Sequence, residues 1–259
     1  FWAAKRGRDA LVVKWDEGAN ARLGSAEILK TLAQALTRKP ASARRDGDVD
    51  KAMTAAPKTI EAEYQAPYLA HACMEPMNCT ARVTKNSCEV WVPTQNQTAA
   101  QHVAAVVTGL PPEKIAIHTT FLGGGFGRRG EQDFLAEAVE LALRTQAPVK
   151  VVWTREDDMH HDYYRPATLN RLSAALDAEG NLSAWRHDIA GASIFARVFP
   201  GYIKNGIDNT SVEGAANLPY AIPNQQVSWV MENGFVPVGF WRSVGSSQNA
   251  WVTECFLDE

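Results

Sequence analysis

Gly123-Gly124-Gly125-Phe126-Gly127-Arg128-Arg129 constrains this chain more than any other stretch, because four glycines in five residues separate a segment of strand character from one of helical spacing. Ahead of it, Lys114 to Thr120 is dense in β-branched residues; behind it, Phe134, Ala138, Leu141 and Ala142 recur as on one helix face. The expected local order is strand, glycine loop, helix. Glycines without a Cβ let backbone N–H groups approach a ligand closely, and a helix start adds unpaired N–H groups and a positive dipole end. The two arginines are expected to strengthen a preference for anions. A dinucleotide fingerprint fails because Arg128 fills its sixth place counted from Gly123, and a P-loop fails because no Gly-Lys-Ser/Thr closes the run. A tight turn that packs strand on helix and a backbone cradle for a ligand both stay open at this point.

The chain has 259 residues, 46% of them hydrophobic, and a net charge of −3. That is enough to bury a substantial core in one or two domains, and it gives no general attraction to nucleic acid or to an anionic membrane. Any anion site must be local. No apolar run reaches the roughly 20 residues of a transmembrane helix. Both ends, at Phe1 and just after Val252 to Leu257, are expected to be cuts within a longer protein. Cys73, Cys79, Cys88 and Cys255 are too few and scattered for a disulfide framework, and with His71 they match no paired zinc spacing, so buried small side chains are expected. Arg155-Glu156-Asp157-Asp158 and His160-His161 are expected to form a solvated turn at a strand end, without a metal.

Phe1 to about Val12 has a helical pattern leading into a short strand at Val12 to Trp15, and Ser25 is expected to cap a helix in which Ile28, Leu32 and Leu36 repeat until Pro40. The small, charged stretch from Ala41 to Lys58 is expected to be a linker. Alternation then predicts a strand around Ile60 to Tyr64 and a hairpin of Cys79 to Thr84 with Cys88 to Pro93. A helix is predicted over Thr98 to Thr108, ended by Gly109, and a strand over Val149 to Trp153. Thr168 to Ala178 is expected to pair with Leu182 to Ala190 across Glu179-Gly180-Asn181. Gln226 to Met231 is strand-like and Gln248 to Leu257 helix-like. The mixture without regular βαβ repetition predicts an α+β fold of layered mixed sheets with helices.

Two further stretches read as ligand loops. Thr94-Gln95-Asn96 stands between a strand end and a helix start, with amides that both donate and accept hydrogen bonds, although taken by itself the stretch is better explained by N-capping through Thr94 or Asn96. Gly239-Phe240-Trp241-Arg242-Ser243-Val244-Gly245 holds an arginine that could fork onto an oxo or phosphate group, or stack on Trp241 at the surface.

Taken in order, Thr94-Gln95-Asn96, Gly123 to Gly127 and Phe240-Trp241-Arg242-Ser243, with Met74-Glu75-Pro76 before them, resemble the molybdopterin-binding large subunit of the molybdenum hydroxylases, the xanthine oxidase and aldehyde oxidase family. Within that family the pattern is most similar to the isoquinoline 1-oxidoreductase type, beta subunit. The resemblance implies residues 1–20 as the tail of a preceding small α/β domain, 21–58 as helix and linker, and 59–259 as part of the first molybdopterin-binding domain. It implies molybdenum held by molybdopterin in its cytosine dinucleotide form, with Gln95, Gly124, Gly125, Phe126, Gly127 and Arg242 around it. The implied reaction hydroxylates an N-heteroaromatic ring or oxidises an aldehyde with oxygen from water, and a small iron–sulfur subunit removes the electrons. The family's catalytic glutamate lies beyond this stretch, so the chain by itself is expected to be inactive. Purine-oxidising members carry a substrate-gripping glutamate where this chain has Gly130, and a Gly-Lys where it has Arg128-Arg129, which argues against purines. The competing reading is a non-catalytic module that binds an anion or nucleotide through the GGGFGRR loop.

Overall fold

A computed structural model describes all of residues 1–259, which divide into two units that interleave along the chain. The first contains Phe1–Leu23 and His71–Asp162; the second contains Gly24–Ala70 and Tyr163–Glu259.

In the first unit, strands β3 (Asn78–Val83) and β4 (Cys88–Val92) form the expected hairpin, with Cys88 opposite Val83. Strand β5 (Ile115–Thr119) joins β4 in parallel and β6 (Val149–Val152) joins β3 antiparallel, giving the order β5-β4-β3-β6. A parallel pair needs a crossover, and helix α4 (Gln97–Thr108) supplies it. Asn96 caps α4 by accepting from the Ala99 N–H at 3.0 Å, and Gly109 ends it in the left-handed conformation. Helix α5 (Asp133–Thr145) lies beside it. Strand residues Cys79, Ala81, Cys88, Val90 and Val92 alternate inward and meet Ala100 and Ala104 of α4 and Phe134, Leu135, Ala138 and Ala142 of α5. The alanines allow close approach of helix to sheet. Phe134 is fully buried, worth roughly 2 to 3 kcal/mol by apolar transfer.

The second unit is a five-stranded sheet of order β1-β9-β8-β7-β2, with β1 at Ala41–Asp46, β2 at Lys58–Ala66, β7 at Thr168–Leu176, β8 at Leu182–Gly191 and β9 at Asn224–Met231. Strands β7 and β8 pair across the expected turn, and β8 runs parallel to β9. Helix α2 (Ser25–Ala35) places Leu32 and Ala35 against Leu169, Ala190 and Val230; α3 (Val49–Ala55) places Val49 against Ala175 and Ala184. Helix α9 (Ser246–Leu257) covers the opposite face, where Val252 and Phe256 meet Leu172, Ala174 and Trp185. Short helices α7 (Ile194–Val198) and α8 (Asn209–Val212) complete the unit. The architecture is α+β with mixed sheets, as expected.

Four local expectations are corrected. The supposed linker from Ala41 to Lys58 is strand β1 and helix α3: β1 gains its order from pairing with distant β9, and Asp48 caps α3 by accepting from the Lys51 N–H at 3.1 Å. Val12 to Trp15 forms no strand; Val12 and Trp15 are exposed and no neighbour supplies ladder hydrogen bonds. Gly24 rather than Ser25 is the N-cap of α2. Arg155–His160 is helix α6 rather than a solvated turn, because Thr154 and Asp157 form a reciprocal capping box and Asp158 is buried in contact with Arg155 at 2.7 Å. The remaining helix, α1, spans Trp2–Asp9 in the first unit.

Candidate functional site

The glycine loop follows β5 and begins a network centred on Gln95, the residue after β4 and Thr94 in sequence. Gln95 donates its own N–H to the Arg129 carbonyl at 2.9 Å, and its side-chain Oε1 accepts from the N–H groups of Gly127 at 3.0 Å and Arg129 at 3.3 Å. Both partners are donors, so the amide orientation is fixed by chemistry: the oxygen is spent on the loop and the NH2 group remains to donate. Gln95 is itself exposed.

The loop backbone explains its glycines. Gly124 and Gly127 have φ of +97° and +108°. Gly125 needs closeness rather than handedness, since a Cβ there would stand 2.5 Å from Gln95 Oε1. Phe126, at φ +55°, is a bulky residue in the left-handed region, a strained conformation that the surrounding bonds must hold, and the residue is 43% exposed. The carbonyls are consumed inside the protein: Gly124 O accepts from Arg129 Nε at 2.7 Å, and Gly125 O from the Arg128 N–H at 2.9 Å and the Cys73 thiol at 3.4 Å. The N–H groups of Gly124 and Gly125 have no acceptor within the protein. Carbonyls tied down and N–H groups left over make a nest suited to an oxyanion or oxo ligand.

The arginines overturn one expectation. Arg128 and Arg129 are 1% and 0% exposed, buried beneath the loop. Arg128 makes a two-pronged pair with Asp133 at 2.8 and 2.7 Å, lies 3.0 Å from Asp162, and stacks over Phe134 and Trp153. Burial opposes its charge, but the Asp133 carboxylate raises its pKa above the ordinary arginine value. Arg129 pairs with Glu75 at 2.9 Å; burial lowers its pKa, with Glu75 opposing. Their positive charge is therefore neutralised internally, and the cradle offers dipoles rather than cations. The helix start is also not adjacent, because a single 3₁₀ turn at Arg128–Gly130 intervenes before α5.

Asp162 also receives the His71 N–H at 2.6 Å and the His71 Nδ1 at 3.0 Å, all buried. Despite burial, which would raise it, the His71 hydrogen bond holds its carboxyl below the usual range. Burial pushes the Cys73 thiol up, and the Cys79 and Cys88 thiols to about 12 and about 11. All three thiols stay protonated and unreactive at neutral pH. The roles of Glu75, Cys73 and Asp162 were not legible in the sequence, since their partners lie dozens of residues away; the only signal was the Met74-Glu75-Pro76 stretch.

Arg242 belongs to the second unit, where it is exposed on a tight turn. Ser243 and Val244 both have positive φ, +57° and +48°, and for β-branched Val244 this is an outlier. Trp241 donates to Ala70 O at 3.2 Å, Val244 N–H to Trp241 O at 2.7 Å, and Ser247 Oγ to Arg242 O. The guanidinium stacked over Trp241 is that of Arg165, at 5.7 Å. Gln95 and residues 124–127 are thus brought together in one unit, and Arg242 is presented by the other.

The chain is 30% identical over its whole length to isoquinoline 1-oxidoreductase subunit beta of Brevundimonas diminuta, covering 35% of that protein. It is 29% identical over 82% of its length to the aldehyde oxidoreductase molybdenum-binding subunit PaoC of Escherichia coli K12, covering 28% of it. The chain thus spans about a third of the length of the curated relatives it matches. Its fold superimposes on the aldehyde oxidoreductase of Desulfovibrio gigas with a TM-score of 0.68 at 20% identity, covering 85% of this chain and 24% of that one. Residues 33–259, which include the glycine loop, Gln95 and Arg242, match the molybdopterin cofactor-binding domain, and the chain belongs to that family.

Proposed function

We propose that this chain forms part of the molybdenum-cofactor cradle of a hydroxylase acting on N-heteroaromatic rings or aldehydes. The observation that carries the reading is the donor set: the unpartnered N–H groups of Gly124 and Gly125 beside a Gln95 amide whose oxygen is already spent. Such a set suits the oxo groups of an oxyanion-rich metal centre, and the glycine at 125 keeps Cβ bulk out of the cradle. When bound, molybdopterin with its molybdenum supplies a two-electron oxidation that places oxygen from water on an electrophilic carbon. Gln95 donates through its NH2 group, Gly124 to Gly127 orient backbone dipoles, and Phe126 presents an apolar ring.

The cytosine dinucleotide form of the cofactor and a small iron–sulfur partner subunit are part of the same proposal. The similarity to an isoquinoline 1-oxidoreductase subunit supports a heteroaromatic substrate. Purines are disfavoured because Gly130 offers no side chain to grip them, although a Cβ there would meet nothing within 4 Å. A free nucleotide-binding module is disfavoured too, since both loop arginines have their charge cancelled by carboxylates and none is left for phosphate.

The test is Gln95→Ala in the full-length subunit with its natural partner, followed by metal analysis. A fall in molybdenum content of tenfold or more, with unchanged circular dichroism, is expected from loss of a hydrogen bond to a charged group. Wild-type molybdenum content and turnover in Gln95→Ala would refute the cradle. Micromolar nucleotide binding by this chain without cofactor would favour the module instead.

A further inference from the structure

We propose that Glu75 is the positioning residue that aims the N–H groups of Gly124 and Gly125 at the ligand. The inference rests on the cofactor reading above. It follows from peptide planarity: in a trans peptide the C=O and the next residue's N–H point in opposite directions, and this chain has no cis peptide. Whatever holds the carbonyl of one residue fixes the N–H of the next.

Glu75 holds both relevant carbonyls, one directly and one through Arg129. Its backbone N–H donates to Gly123 O at 3.0 Å, which sets the direction of the Gly124 N–H. Its carboxylate Oε2 and its backbone carbonyl both accept from Arg129 Nη2, at 2.9 and 2.7 Å. The same guanidinium donates through Nε to Gly124 O at 2.7 Å, which sets the direction of the Gly125 N–H. Oε2 also accepts the Gly123 N–H at 2.9 Å, and Oε1 is occupied by Asn78 Nδ2 at 2.9 Å, so the carboxylate is itself held on both oxygens. A Cβ at Gly123 would stand 2.4 Å from the Glu75 Cβ, which explains the first glycine of the loop as a consequence of this clamp.

Arg129 is fully buried, so Glu75 is the carboxylate that makes its charge tolerable. Removing the negative charge releases Arg129 and with it the peptide plane whose carbonyl is Gly124 O, whereas the Glu75 backbone N–H still holds Gly123 O. A role confined to stability would end once the buried charges were balanced again. A positioning role would not, because balance without the Arg129 Nε bond leaves Gly124 O unheld.

The experiment uses the full-length subunit with its partner, carrying Glu75→Gln, Glu75→Gln with Arg129→Met, or Gln95→Ala. The readouts are molybdenum content of the purified enzyme and amide hydrogen exchange over residues 121–127 in cofactor-free protein. Glu75→Gln is expected to lower molybdenum content at least tenfold and to speed exchange in the loop at least tenfold, leaving α5 and β3 protected. The double variant, which removes both charges together, is expected to restore melting temperature and yield but not molybdenum content, and it carries the test if the single variant fails to accumulate. Wild-type molybdenum content in either Glu75 variant, with loss in Gln95→Ala, overturns the role of Glu75 and leaves the cradle standing. Wild-type content in all three overturns the cradle itself.

Discussion

Placing an alanine at 125 should destabilise the protein by about 2 kcal/mol, and only while Gln95 is present. Gly125 does not lie in the left-handed region, so its backbone accepts alanine without strain; the obstacle is the 2.5 Å approach of the new Cβ to Gln95 Oε1, with Cδ at 2.7 Å. Gln95 is exposed and can swing aside, so the clash itself is cheap. What is lost is the pair of hydrogen bonds to the N–H groups of Gly127 and Arg129, at about 1 kcal/mol each. In a Gln95→Ala background those bonds are already gone, and so are the only atoms that would stand within 3.0 Å of the new Cβ. Gly125→Ala should then cost close to nothing. Urea unfolding of the wild type, both single variants and the double variant forms a mutant cycle whose interaction energy should be about 2 kcal/mol. An equal cost of Gly125→Ala in both backgrounds would refute the claim that Gln95 is why this position is glycine.

Two further perturbations test the electrostatics of each unit. His187 is fully buried with Nε2 at 3.0 Å from Asn170 Oδ1, and its Nδ1 has no partner, so burial lowers its pKa to about 3. Between about pH 6.5 and 3 the unfolded chain binds a proton that the folded one refuses, so stability is full above that window and falls on acidification, by about 2 kcal/mol at pH 5. His187→Gln should flatten the stability–pH slope by up to about 1.4 kcal/mol per pH unit, and parallel curves would contradict it. Arg128→Lys keeps the charge but not the fork that serves Asp133 and approaches Asp162; it should cost roughly 3 kcal/mol and lower the melting temperature, and an unchanged temperature would show the pair to be dispensable.

Much of the secondary structure was legible because it is locally encoded. The hairpin of β3 and β4, the pair of β7 and β8, and helices α4 and α5 each announce themselves through alternation, helical spacing, Asn96, or a glycine at the terminus. Strand β1 was not legible, because Ala41 to Asp46 is short, polar at alternate places and ordered only by pairing with a strand some 180 residues further on. Helix α6 was hidden behind its charges, although Thr154 and Asp157 held the capping signal. Within the site, the residue types were readable and their partners were not.

The amino-acid order alone determined that 123–127 could be a backbone cradle, since only residues without a Cβ tolerate both φ near +100° and the close approach of Glu75 and Gln95. It also placed Gln95 and Arg242 on turns next to regular elements. Tertiary structure decided the sign of the chemistry. Sequence presents Arg128 and Arg129 as two cations on a loop, whereas folding buries both against carboxylates from 5 to 54 residues away and spends hydrogen bonds of both on loop carbonyls. The physical reason is that a charge in sequence is a formal count. Its effect on a ligand depends on which counter-charges and dipoles the fold brings within about 3 Å of it, and those come from contacts that no local pattern records.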